Sequence, residues 1–208
     1  MNNKRIAFLC CIMAKRLFDI LFSVLVLLII TPILVFISIL IKIGSKGPVF
    51  FRQVRIGKGG KEFKIFKFRT MVLAAEKNGL LTIGGRDPRV TSIGYYLRKF
   101  KLDELPQFLN VFLGDMSIVG PRPEVKKYVE MYTQEQRKVL SVRPGITDYA
   151  SILYKNENDV LATYPNPEKA YIEIVMPHKL KINLDYLANQ SFWMDLKIIA
   201  LTAKGVIS

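Results

Sequence analysis

Ile20-Leu21-Phe22-Ser23-Val24-Leu25-Val26-Leu27-Leu28-Ile29-Ile30-Thr31-Pro32-Ile33-Leu34-Val35-Phe36-Ile37-Ser38-Ile39-Leu40-Ile41 decides the architecture: the stretch carries no charge, and it is apolar except for Ser23, Thr31, Pro32 and Ser38. As a straight helix it would measure roughly 33 Å, enough to cross the hydrocarbon core of a bilayer. It is too long for the apolar region of a signal peptide, and the Lys42-Ile43-Gly44-Ser45-Lys46 that follows is a poor small-residue cleavage site. An uncharged run of this length is also unusual for a buried helix of a soluble domain. The sequence therefore divides into residues 1–43, an N-terminal segment with a membrane helix, and residues 44–208, the body of the protein.

How the helix meets the membrane is left open by the residues alone. Pro32 removes a backbone donor and crowds the preceding turn, so a kink is expected at Thr31-Pro32. Lys4, Arg5, Lys15 and Arg16 precede the block, and Lys42, Lys46, Arg52 and Arg55 follow it. A spanning helix keeps its cations on one side. Balanced charge suits a helix that enters, bends at Pro32 and returns to the same face, yet spanning helices also tolerate proline. Asp19 lies at the edge of the block with Arg16 on the same helical face, and the pair is read as an interfacial ion pair that sets helix depth.

The formal net charge of +14 over 208 residues implies an anionic partner: nucleic acid, anionic lipid or a phosphorylated substrate. Cys10 and Cys11 are the whole cysteine complement and are adjacent, so disulfides do not staple the body, as suits a reducing compartment. They are read as small apolar residues ahead of the membrane segment.

Outward from the helix, residues 44–48 form an exit loop. Two β-prone runs, residues 49–56 and 61–69, flank Gly57-Lys58-Gly59-Gly60 and predict a hairpin that is both aromatic and basic. Residues 76–89 read as a polar loop. Thr91 or Ser92 caps a short helix running to about Phe100, and a second helix starts with Asp103 as its cap and stops before Gly114. Residues 124–140 read as an amphipathic helix and residues 142–147 as a turn. Residues 159–177 mix helical signals with prolines. Near the end, Phe192, Leu196, Ile199 and Ala203 line one helical face that could pack on the core or lie in the membrane surface. The fold class is mixed α/β and mainly helical: a membrane helix, a compact domain with a small β-hairpin, and amphipathic interfacial helices.

Few residues are equipped for chemistry. His178 is the lone histidine and has no partner pattern around it. The glycine-rich turn lacks P-loop spacing, and zinc-type cysteine spacing is absent. There remains Asp103-Glu104. Adjacent acids at a helix start serve as a cap plus a dipole-favoured charge in most proteins. The alternative is chemical: one carboxylate attacks phosphorus and carries a phosphoryl group, while the other binds Mg²⁺. Lys67, Arg98 and Arg122 are candidate phosphate ligands.

Several motifs occur in order: Arg16-Leu17-Phe18-Asp19 before the proline-containing helix, Phe63-Lys64-Ile65-Phe66-Lys67-Phe68-Arg69-Thr70-Met71, Leu102-Asp103-Glu104-Leu105-Pro106-Gln107, the run Asn110-Val111-Phe112-Leu113-Gly114-Asp115-Met116-Ser117-Ile118-Val119-Gly120-Pro121-Arg122-Pro123, and Val142-Arg143-Pro144-Gly145-Ile146-Thr147. Together they resemble the bacterial sugar transferases, the monotopic polyprenyl-phosphate phosphoglycosyl transferases. The resemblance covers residues 15–147, with a weaker echo at 192–202. It implies a re-entrant helix broken at Thr31-Pro32, where many relatives have serine in place of Thr31. It implies that Asp103 attacks the β-phosphate of a UDP-sugar, releases UMP and carries the phospho-sugar until polyprenyl phosphate, usually undecaprenyl phosphate, accepts it. Glu104 would ligate Mg²⁺, and Lys67, Arg98 and Arg122 would hold phosphates. The implied location is the cytoplasmic face of the bacterial inner membrane, with membrane lipid and not nucleic acid as neighbour, and with homo-oligomerisation left open. After Thr147 the sequence departs from the pattern: Asp148-Tyr149-Ala150-Ser151 replaces the expected run, and an expected arginine is missing. No site residue is assigned there. Two other readings stay on the table: a basic membrane-tethered module that binds anionic lipid or nucleic acid without chemistry, and the same enzyme with a true membrane span.

Overall fold

The computed structural model describes residues 3–75 and 87–207, with side chains for 13–75 and 87–205. The 76–89 loop expectation falls largely outside the described residues, and the side chains of Cys10 and Cys11 fall outside them altogether. The chain is mainly helical. Helix α1, Asn3–Gly44, leads into a hairpin of β1, Phe50–Ile56, and β2, Glu62–Phe68. Next come α2, Ser92–Lys99, α3, Gln107–Leu113, and β3, Ser117–Val119. Then follow α4, Lys126–Val129, β4, Gly145–Thr147, α5, Tyr149–Leu153, and α6, Glu157–Ala162. Helices α7, Pro167–Ala170, α8, Met176–Ala188, and α9, Phe192–Ile207, complete the order.

Helix α1 stays helical through Thr31 and Pro32. The Thr31 hydroxyl donates to the Leu27 carbonyl at 2.6 Å, so hydrogen bonding persists beside the donor that Pro32 lacks. Residues 13–44 are long and apolar enough to cross a bilayer core, and only 11% of the most apolar window is buried by the rest of the protein. The helix meets the body twice. Near its start, Phe18 and Phe22 pack on the cluster of Val111, Met116, Ile118 and Ile198. Near its end, Ile37 and Ile41 pack against Phe68 and Leu97. Between these contacts Leu25, Leu28, Ile29, Ile33 and Phe36 are exposed. Such a run of bare apolar side chains has lipid as its natural solvent.

Arg16 and Asp19 do not form the expected ion pair. Arg16 donates to the carbonyls of Val111 at 2.8 Å and Phe112 at 3.1 Å, at the C-terminal end of α3, where a cation complements the helix dipole. Asp19, 2% exposed, accepts from the Ser117 hydroxyl at 2.8 Å and the Ile118 amide at 3.2 Å. Both side chains hold the helix to the body. Beside them Lys15 pairs with the buried Asp195 of α9, which also accepts from the Tyr186 hydroxyl at 2.6 Å. At the far end, Arg69 caps the last turn of α1 by donating to the Ser45 carbonyl at 2.9 Å and to that of Lys46.

The hairpin is antiparallel, and its register sets Phe51 opposite Lys67. Helix α2 starts at the expected cap, with Thr91 accepting from the Gly94 amide at 3.0 Å. Asp103, by contrast, caps nothing. Leu102–Glu104 forms a single 3-10 turn, and α3 begins only at Gln107, because Pro106 has no N–H to bond back to Leu102. Gly114, at φ 100°, ends α3 as expected. The predicted helix over 124–140 is divided into α4 and a 3-10 stretch, Gln136–Ser141. The cause is a reciprocal cap: the Thr133 amide donates to Gln136 Oε1 at 2.9 Å and the Gln136 amide to the Thr133 hydroxyl at 3.2 Å, which starts a new segment. Residues 145–147, expected within a turn, are strand β4, parallel to β3. In α9 the buried positions are Asp195 and Ile198, while Phe192 and Ala203 are exposed, so the inner face is rotated from the predicted stripe.

Candidate active site

The hairpin, the 3-10 turn and the Gly120–Pro123 corner bring the expected residues together. Asn110 of α3, fully buried, accepts from the Phe66 amide at 2.9 Å and donates to the Lys64 carbonyl at 2.9 Å, taking the place of a third strand along β2. This fixes Lys67 above the turn that carries Asp103 and Glu104. At Gly120 the corner is held by backbone: its amide donates to the Thr147 carbonyl at 3.1 Å, and the Gly145 amide to the Pro121 carbonyl at 3.0 Å. A Cβ on Gly145 would lie 2.2 Å from the Gly120 nitrogen, so only glycine permits β3 and β4 to meet there. Arg122 leaves this corner toward Glu104.

Glu104 accepts from Lys67 Nζ at 2.8 Å, from Arg122 Nη1 at 3.2 Å and from Arg122 Nη2. Burial opposes ionisation of Glu104, but Arg122 and Lys67 overcome it and hold the carboxyl well below the usual range. The neighbouring carboxyl behaves in the opposite way. Asp103 is 8% exposed and accepts no hydrogen bond among the described residues. Burial and then the charge of Glu104 push its pKa up, against the pull of Lys67, Arg98 and Lys101.

Asp103 lines a cavity of about 270 Å³, together with Phe51, Arg55, Lys67, Arg89 and Arg98. Arg122 and Glu104 are not part of this wall; they form the clamp behind it. Thus Lys67, Arg98 and Asp103 share one cavity, and Lys67 joins that cavity to the Glu104–Arg122 pair. A cavity that mixes aromatic rings with several cations around one carboxylate suits an anionic, phosphorylated ligand. The sequence reading missed Arg55 and Arg69, which line the same space. Arg69 follows Lys67 by two residues, and strand alternation alone could have assigned it to the same side.

Among the described residues no group of three or more His, Cys, Asp or Glu is arranged to hold a metal. For Mg²⁺ that is no bar, since it binds through one or two carboxylates plus substrate phosphates and water. The donor set fits in this restricted way. Glu104 Oε2 accepts only from Arg122 Nη1 and keeps a free lone pair, but the surplus of nearby cations means that phosphate oxygens must supply the remaining ligands.

A buried acid pair beside a cation-lined cavity thus lies in a domain that carries a long, mostly bare apolar helix. The chain belongs to the bacterial sugar transferase family, whose model matches residues 11–208. It is 41% identical over 199 residues to the UDP-glucose:undecaprenyl-phosphate glucose-1-phosphate transferase of Escherichia coli (strain K12), covering 93% of this chain and 40% of that protein. It is 36% identical over 201 residues to the UDP-N-acetylgalactosamine-undecaprenyl-phosphate N-acetylgalactosaminephosphotransferase of Aeromonas hydrophila, covering 93% of this chain and 44% of that protein. With the sugar transferase EpsL of Bacillus subtilis (strain 168) it shares 37% identity over 193 residues, 93% of this chain and 87% of EpsL. The chain therefore spans about two fifths of the first two relatives and most of the third.

Proposed function

We propose that this protein transfers a sugar 1-phosphate from a UDP-sugar to polyprenyl phosphate, undecaprenyl phosphate in the Escherichia coli and Aeromonas hydrophila relatives, giving a polyprenyl-diphosphate sugar and UMP. The single observation that carries the chemistry is the contrast within Asp103-Glu104. Glu104 is consumed by two cations, while Asp103 is left without a hydrogen bond and open to the cavity. A carboxylate desolvated in this way is a better nucleophile than one saturated with donors.

In the proposed cycle an Asp103 oxygen attacks the β-phosphorus of the donor. The bond from that phosphorus to the bridging oxygen breaks, and UMP leaves with the oxygen. An oxygen of polyprenyl phosphate then attacks the aspartyl phosphorus and returns Asp103 as carboxylate. Lys67 and Arg98 hold the phosphates from the cavity wall. Arg122 keeps Glu104 ionised and in place. Glu104 would hold Mg²⁺, which would supply charge neutralisation on the phosphoryl oxygens.

The body, residues 44–208, is the catalytic domain in this reading, and residues 1–43 attach it to the cytoplasmic face of the inner membrane. Re-entry of α1 is supported by its two contacts with one body, at Phe18 and Phe22 and again at Ile37 and Ile41. In this reading the helix enters and leaves the bilayer on one side.

The test is UMP release from purified protein in nanodiscs with Mg²⁺, undecaprenyl phosphate and a panel of UDP-sugars, followed by mass spectrometry of the peptide bearing residues 102–105 after incubation with donor alone. A phospho-hexose increment on that peptide is expected. Product formation with that peptide always unmodified overturns the covalent step. Salt-sensitive polyanion binding with no UMP release overturns the enzyme reading in favour of a binding module.

A further inference from the structure

Arg122 lies between two prolines, Pro121 and Pro123. Proline has no N–H, so within Pro121–Pro123 Arg122 alone carries a backbone donor; the flanking Gly120 amide donates to the Thr147 carbonyl at 3.1 Å, and the Pro121 carbonyl accepts from the Gly145 amide at 3.0 Å. The Arg122 amide donates to Asp148 Oδ2 at 2.9 Å. The other oxygen of the same carboxylate accepts from the Ser151 amide and caps α5. Asp148 is 1% exposed, and no cation lies within ion-pairing distance of it among the described residues. Burying this charge costs free energy, which the two amides and the nearby positive charges of Lys179 and Arg122 offset only in part. For the cap alone a serine would serve as well. What serine cannot do is reach from the start of α5 to the Arg122 amide while it also caps the helix.

We propose that Asp148 is a positioning residue, whose carboxylate fixes the backbone of Arg122 so that the guanidinium stays clamped on Glu104. The proposal rests on the transferase reading for its catalytic consequence, though not for its geometry. It adds the segment after β4 to the site, a segment with no side chain in the Asp103 cavity. Burial raises the Asp148 pKa, consistent with a carboxylate retained for its two acceptor oxygens despite desolvation.

The variants are Asp148→Ser, which keeps a capping oxygen for α5 but loses the reach to Arg122, and Asp148→Asn, which keeps one acceptor oxygen in the original geometry. Each is also made in an Arg122→Lys background. In the serine variant kcat for UMP release is expected to fall roughly tenfold or more, the scale of one charged hydrogen bond. The KM for UDP-sugar should change little, because Arg122 does not line the donor cavity. The asparagine variant should lie between parent and serine. In the Arg122→Lys background the serine substitution should have a much smaller effect.

Hydrogen exchange supplies a readout independent of activity. A peptide covering residues 120–124 reports the amides of Arg122 and Glu124 only, because Gly120 becomes its terminal amine and the other two residues are prolines. Faster exchange of one of those amides in the serine variant is expected. Unchanged exchange overturns the proposal, whether or not the parent releases UMP. Faster exchange with wild-type kcat also overturns it. An equal loss of kcat in the parent and Arg122→Lys backgrounds would mean that Asp148 acts through the fold in general, and that too overturns it. A parent that releases no UMP with any donor defeats the transferase reading and leaves the exchange result to decide the geometry.

Discussion

Buried carboxylates occur at the root of α1 and in the Asp103 cavity, and the two regions treat them differently. At the root, Asp19 is satisfied by Ser117 and Ile118, and Asp195 by Lys15 and Tyr186. The protein closes on these groups and leaves nothing for a ligand. Behind the cavity Glu104 is closed in the same way by Lys67 and Arg122, but Asp103, which lines the cavity, has cations near it and accepts no hydrogen bond among the described residues. Burial alone does not mark a working acid; incomplete satisfaction inside a charged cavity does.

The largest effect that probes this contrast is expected from Asp103→Asn. Losing a covalent nucleophile lowers turnover by on the order of 10³-fold or more, while thermal unfolding should not move down, because the variant removes an unsatisfied buried charge. UMP release and a melting curve on the same sample check both halves. A variant with near-parental turnover erases the distinction between cavity and root.

Next is Lys15→Met at the root. It strands the charge of Asp195, and breaking one side of a buried pair costs about 3 kcal/mol. The expected result is a lower melting temperature in nanodiscs with UMP release per folded molecule largely retained. Lost activity at an unchanged melting temperature would mean that the root takes part in the chemistry.

A smaller effect is expected on pH dependence. In the proposed cycle Asp103 is ionised when it attacks, and its pKa is raised by burial and by Glu104. Activity should therefore fall as pH drops through a value above the ordinary aspartate range. Lys101 opposes that shift, so Lys101→Gln should move the acid limb of kcat/KM to higher pH by a fraction of a unit. A limb that moves down, or stays in place, contradicts the assignment. The smallest effect is expected from Leu28→Ala in the bare middle of α1, 71% exposed. The melting temperature of the body should reflect a change within about 0.5 kcal/mol, in contrast to Lys15→Met.

Much of this layout was legible in the amino-acid order where the signal is local. The apolar block, the hairpin around Gly57-Lys58-Gly59-Gly60, the Thr91 cap and the Gly114 stop all depend on neighbouring residues. The parallel pairing of β3 with β4 depends on contacts across a long stretch of intervening chain, and strands of three residues show no readable alternation. The reciprocal cap at Thr133 and Gln136 was readable as a motif but was masked by a run that otherwise looks amphipathic. Within the candidate site, Lys67, Arg98 and Asp103 share the cavity, and Glu104 and Arg122 lie behind it. Which acid is clamped and which is open was not legible, because sequence neighbours differ only in the three-dimensional environment that each side chain enters. Asp148 was invisible for a related reason: its partner is a backbone amide, which carries no residue signature.

The Lys15–Asp195 contact joins positions separated by 180 residues. At a synthesis rate of about 5–20 residues per second, the membrane helix emerges roughly 10–35 s before its partner on α9 exists. During that interval α1 can settle into lipid, held at its root only by the contacts of Arg16 and Asp19 with the segment 111–118. Helix α9 then adds a latch that only later synthesis supplies.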